Sequence, residues 1–173
     1  MCQLPPEPSR SLPSVSLETE SVDAFATALQ GPARLLGLDL GTKTIGLAIS
    51  DSNWSIASPV RTIRRTKFTA DVTEMLAYAV RESVKGLVIG LPLNMDGSEG
   101  PRAQATRAFV RNLARHTDMP VLYWDERLSS FAAESAMLEA DLTRKKRAKV
   151  IDQMAAAIIL QGALDALRER KIS

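Results

Sequence analysis

Three acidic positions stand where a core-forming chain should be apolar, and each needs a cation or a proton. Asp39 follows the apolar run "RLLGL" and precedes the turn "GTKTIG", where Gly41 and Gly46 permit close backbone approach and Lys43 offers a positive charge. Asp125 and Glu126 follow "MPVLYW", with Arg127 next. Side chains alternate along a strand, so at most one of that pair faces a given site. Asp152 lies in "KVIDQMAAAIILQ", and its helical neighbours are Ala155, Ala156 and, beyond them, Ile159. An unpaired carboxylate on so apolar a face is costly, or it takes up a proton.

Each acid also has a plainer explanation. Asp39 and Lys43 suit a solvated hairpin, a strand-end acid can cap a following helix, and Asp152 would open the long apolar helix expected over residues 149–169. There it would complement the helix dipole by about 0.3–1 kcal/mol. Taken jointly, the acids point to a shared hard cation, because Mg²⁺ or Mn²⁺ lets gathered carboxylates stay ionised while retaining several waters. His116 is the only histidine and falls at a helix end among arginines, which leaves histidine-based zinc or triad chemistry without material. The turn after Asp39 satisfies neither the P-loop nor the dinucleotide pattern. Before Asp152 the segment "TRKKRAK" places Arg144, Lys145, Lys146 and Arg147 together; it would attract a nucleic-acid backbone or form a solvated loop between two helices.

Positioning these residues requires a sheet. "RLLGLDL", "IGLAISD" and "SPVRTI" predict three consecutive strands in an antiparallel meander. A helix follows, with Val72, Met75, Leu76, Ala79 and Val80 as its apolar stripe. "KGLVIGLPL" reads as a strand covered on both faces, residues 98–116 as a helix carrying Arg102, Arg107, Arg111 and Arg115, and "MPVLYWDE" as the fifth strand. A short helix is expected over 130–140. The pattern predicts an α/β fold with a mixed sheet and helices on both faces. Residues 1–33 read as a flexible extension, Pro- and Ser-rich to residue 18, with a short amphipathic helix at 20–30 from Val22, Phe25, Ala26 and Leu29; residues 34–173 form the folded domain.

The chain's 173 residues, 45% hydrophobic and 24% charged, suit one domain with a real core. No apolar stretch approaches a membrane span, and with Cys2 the only cysteine, a reducing cytoplasmic setting is expected. The net charge of +2 conceals a division: residues 1–33 hold one base and four acids, which leaves 21 bases against 16 acids in residues 34–173. That body mildly favours polyanions.

The segments "GLDLGTKTIGLAISD", "VIGLPLNMDGSEGPRA", "DERLSS" and "KVIDQMAAAIILQ", in that order across residues 34–168, resemble the YqgF family of bacterial pre-16S rRNA nucleases, also described as Holliday junction resolvase-like. The resemblance implies a ribonuclease H-like fold with five strands in the order 3-2-1-4-5, strand 2 antiparallel. It also implies a catalytic Mg²⁺ or Mn²⁺ site held by Asp39, Glu126 and Asp152. Lys43, Asn94, Arg127 and the cluster Arg144, Lys145, Lys146 and Arg147 are the expected substrate contacts. The loop "GLPLNMDGSEG" equally suits an ordinary turn, since Pro92, Asn94, Asp96 and Gly97 are typical turn residues. Trp124 and Tyr123 read as either core or base-stacking platforms. The implied activity is endonucleolytic cleavage of structured RNA during ribosome biogenesis, at the 5′ end of precursor 16S rRNA, by a monomer or homodimer acting with ribosomal particles. Cleavage of branched DNA at four-way junctions is the rival within this chemistry, and a non-catalytic assembly role is the second. Sugar-kinase-like ATPases share "DLGTK" but need two such domains, for which this chain has no room.

Overall fold

Side-chain alternation along β2 (Arg34–Leu40) divides the molecule into two apolar layers. Leu36, Leu38 and Leu40 enter the layer covered by α2 (Phe68–Arg81) and α3 (Pro101–Leu113), whose Val72, Met75, Phe109, Val110 and Leu113 are buried against them. Leu35 faces the other way. It joins Ala48, Val88 and Leu122 beneath α4 (Arg144–Ile172), whose Ala156, Ile159, Leu160, Ala163, Leu164 and Leu167 form one buried stripe at spacings of three and four. Each of the buried leucines contributes about 1.5–3 kcal/mol. The structure, a computed structural model, describes residues 17–128 and 144–172, the side chains at 144–153 and 171–172 excepted.

Around β2 the sheet assembles as the alternating pattern requires. β3 (Thr44–Ser50) pairs antiparallel with β2, and β4 (Ala57–Arg64) antiparallel with β3. On the other side β5 (Val84–Leu91) pairs parallel with β2, and β6 (Val121–Asp125) parallel with β5. The five expected strands thus take the order 3-2-1-4-5, with the second antiparallel to its neighbours. β5 is buried on both faces except at Lys85, which explains its near-continuous apolar sequence.

Several expectations need revision. The sheet has a sixth strand, because β1 (Glu18–Thr19) pairs parallel with β6. The helix expected at 20–30 forms as α1 (Val22–Leu29), capped by the Ser21 hydroxyl, and inserts Phe25 fully into the layer beneath α4. Gly86 makes the room, since a Cβ there would lie 2.9 Å from the Phe25 ring. Residues 17–33 therefore pack on the body, whereas residues 1–16 lie outside the described residues. Val80, assigned to the apolar stripe of α2, is 76% exposed; the buried stripe is Val72, Met75 and Ala79. Finally, α4 begins at Arg144 rather than at 149, so the basic cluster occupies helical turns and not a loop. The helix expected over 130–140 lies outside the described residues.

Candidate active site

Two glycines create the space in which the acids meet. Gly37 shares the face of Leu35, and a Cβ there would lie 2.7 Å from Leu160 Cβ and 3.0 Å from the Ala156 carbonyl oxygen. The backbone of α4 consequently rests directly on β2. Asp39, two residues further along, points to the same face, where it is half-buried at the carboxyl end of the strand. On β5 the equivalent opening is Gly90, one step beyond the Leu38↔Ile89 pairing and so beside Asp39. A Cβ on Gly90 would lie 2.5 Å from Glu126 Oε1 and 2.7 Å from Ile159 Cδ1. Glu126, the first residue after β6, has folded back over this glycine.

Alternation also separates the adjacent acids at the end of β6. Glu126 continues the α4-facing parity of Leu122 and Trp124, and burial together with the nearby Asp39 charge pushes its carboxyl up to about 7. The Arg102 charge opposes that rise, and Asp125 adds to it. Asp125 belongs to a different arrangement. Arg127 Nε and Nη2 donate to its carboxylate at 2.7–3.0 Å, holding it below the usual carboxylate range, while Arg127 Nη1 donates to the Met95 carbonyl oxygen at 3.3 Å. Arg127, expected to contact substrate, also ties the loop of residues 92–99 to the end of β6.

The third acid is placed by its helix. α4 runs antiparallel to β2: Gln161 Oε1 accepts from the Ala57 backbone N–H at the start of β4, and Arg170 pairs with Asp23 of α1. Helical register carries position 152 one turn before Ala156, about 6 Å toward the end of β2 that bears Asp39. Its side chain lies outside the described residues, as do those of Arg144, Lys145, Lys146 and Arg147. Because α4 starts at Arg144, position 152 is more than two turns inside the helix, where the dipole of the first turn no longer accounts for an acid. Among the described residues no cluster of three or more metal-ligating side chains occurs; Asp39 and Glu126 are the pair brought together.

The other candidates lie around this centre. Lys43 is exposed in the turn after β2, and its carbonyl oxygen accepts from the Arg65 N–H at 2.8 Å. Asn94 donates to Ser98 Oγ at 3.0 Å and Asp96 accepts from the Ser98 N–H at 2.9 Å, so these polar side chains brace their own turn around Gly97 (φ 86°). Tyr123 is core, with its hydroxyl donating to Glu18, and Trp124 packs on Gly162. Arg102 was noted in the sequence only as one of four arginines on a helix. The signal that distinguishes it is its place in the first turn after the loop leaving β5, at the sheet edge where both acids emerge.

Comparison with known proteins agrees with this architecture. The family profile described as "RuvX: Holliday junction resolvase" matches residues 33–166. A protein of Paracoccus denitrificans (strain Pd 1222), named "Putative pre-16S rRNA nuclease", is 61% identical over 149 residues, covering 86% of this chain and 94% of the relative. A protein of Rhodobacter capsulatus with the same name is 59% identical, covering 84% and 92%. Among solved structures, Thermus thermophilus RuvC in complex with a Holliday junction substrate aligns with a TM-score of 0.53 at 15% identity, over 79% of this chain and 96% of that one, a likeness of fold alone. A profile spanning nearly the whole sheet and α4, and relatives near three-fifths identical, establish that this chain belongs to the RuvX family.

Proposed function

We propose that this chain is a divalent-metal-dependent endonuclease of the cytoplasm that cuts structured RNA and matures the 5′ end of precursor 16S rRNA, working on ribosomal particles. The supporting observation is the convergence of Asp39 and Glu126 on one face of the sheet, beneath α4, on which position 152 lies one turn before Ala156. Two half-buried carboxylates, one of them with its ionisation opposed by burial and by the other's charge, offer oxygen donors only and suit a hard cation. Asp39, Glu126 and Asp152 would hold it. When bound, Mg²⁺ or Mn²⁺ supplies the positive charge that activates water and stabilises the leaving oxygen at a phosphodiester. Glu126 must release its proton to take part, so cation affinity should climb as pH rises through about 7. Gly37 and Gly90 set how closely α4 and Glu126 approach the strands, and the buried Ile159 packs against Gly90.

Cleavage of four-way DNA junctions is the second reading, favoured by the description of the matching family and by the RuvC-like fold. Purified protein incubated with Mn²⁺, precursor rRNA and synthetic junctions separates the two: RNA cut with the greater kcat/KM is the expected outcome, and preference for the junction overturns it. Asp39→Asn should lower cleavage by at least about 10²-fold while binding persists. Undiminished maturation in cells carrying Asp39→Asn would favour a non-catalytic assembly role instead.

A further inference from the structure

Among the described arginines near the acids, most already have their charge taken up by other groups or lie far from the site. Arg127 is committed to Asp125 and the Met95 carbonyl. On α3, Arg107 is held by Glu99 and Glu20 and lies over the Tyr123 ring at 4.8 Å. Arg111 is further along that helix, about 14 Å from Arg102 at 1.5 Å per residue, and Arg115 lies in the turn beyond its end. Arg102 differs from all of them. It occupies the first turn of α3, its side chain is exposed, and no described residue forms an ion pair or hydrogen bond with its guanidinium. α3 follows the loop that leaves β5 at the end of the sheet carrying Asp39 and Glu126, a loop held to Arg127 through the Met95 carbonyl. No salt bridge within 4.0 Å joins Arg102 to Glu126.

From this placement we infer that Arg102 contacts the substrate directly, its guanidinium gripping a backbone phosphate of the nucleic acid beside the Asp39–Glu126 pair. A planar, permanently charged fork suits a phosphate, and a cation left short of the carboxylates keeps its donors for that ligand. The inference rests on the nuclease reading, and the experiment separates their failures.

Fluorescence anisotropy would measure binding of a labelled RNA hairpin with a single-stranded flank, and of a labelled four-way DNA junction, to the full chain in EDTA across a salt series. Arg102→Ala should reduce the slope of log K against log salt by about 0.7–0.9, the loss of one phosphate contact. Arg102→Lys should restore most of that slope, and Arg111→Ala should leave it unchanged. In Mn²⁺, Arg102→Ala should also lower kcat/KM at least about tenfold. An unchanged slope overturns the inference, even if turnover falls, because Arg102 would then act only through Glu126. Should wild type cleave neither probe, the nuclease reading fails, while the salt slope still decides whether Arg102 holds a phosphate.

Discussion

Glu126 is the residue at which fold and chemistry conflict most openly. Its carboxyl is pushed from an ordinary 4.5 up to about 7, first by burial and then by Asp39. In metal-free solution the folded state therefore binds a proton more tightly than the unfolded chain. Stability should fall as pH rises from about 4.5 to 7 and stay low above that window. Glu126→Gln removes the penalty without changing shape. In EDTA at pH 8 its midpoint of thermal unfolding should exceed wild type by about 2–6 °C, and the gain should vanish near pH 4. Calorimetry at the two pH values checks this; an equal shift at both would mean that packing, not charge, is responsible. Added Mg²⁺ or Mn²⁺ should stabilise wild type at pH 8 and not the variant, since a ligand of the folded state stabilises only where it binds. Alternation alone says that Asp125 and Glu126 face opposite ways; which of them turns inward depends on Gly90 offering the space, a contact from a strand more than thirty residues away.

At the scale of elements, the two glycines under α4 have different neighbours and should fail differently. A methyl group on Gly37 meets Leu160 Cβ at 2.7 Å and the Ala156 carbonyl oxygen at 3.0 Å, both close to the helix axis, so α4 must shift as a body. Gly37→Ala should cost about 1–3 kcal/mol in urea denaturation. At Gly90 the obstacles are side-chain atoms, Glu126 Oε1 and Cγ and Ile159 Cδ1, rather than the helix backbone, and these side chains can rotate away. Gly90→Ala should thus be nearly as stable as wild type while losing most cleavage, because Glu126 is displaced from Asp39. Comparable losses of stability in the two variants would refute this division. These close approaches also show where the sequence stopped being informative. β2, β3 and β5 were legible because burial on both faces makes their sequences nearly continuously apolar, and Asp39 because it interrupts such a run. The true start of α4 was obscured because "RKKRAK" has no apolar stripe, although lysine and arginine are good helix formers. Arg102 was hidden among similar residues, since no local pattern tells an arginine with a partner from one without.

For the whole molecule, the open question is whether residues 17–33 belong to the domain or merely lie on it. Their contacts are extensive. Phe25 is fully buried, β1 extends the sheet beside β6, Tyr123 donates to Glu18 at 2.9 Å, and Arg107 joins Glu20 to Glu99 of the loop near the site. Burial raises the Tyr123 hydroxyl well above its usual range, and its bond to Glu18 adds to the rise, so this link stays intact through ordinary alkaline conditions. Such a segment should unfold with the rest. Phe25→Ala empties a ring-sized space lined by Gly86 and the layer under α4, and should destabilise the entire protein by about 3–5 kcal/mol. Its urea midpoint should drop with the slope unchanged, and tryptophan fluorescence should report the same transition as circular dichroism, because Trp54 lies in the same buried cluster as Phe25. A loosely docked appendage behaves otherwise: its loss leaves the main midpoint where it was and adds a separate early transition. With the segment integral to the core, the Arg107 linkage would transmit its position to the loop of residues 92–99, and Phe25→Ala should weaken nucleic-acid binding below the unfolding midpoint as well as lower that midpoint.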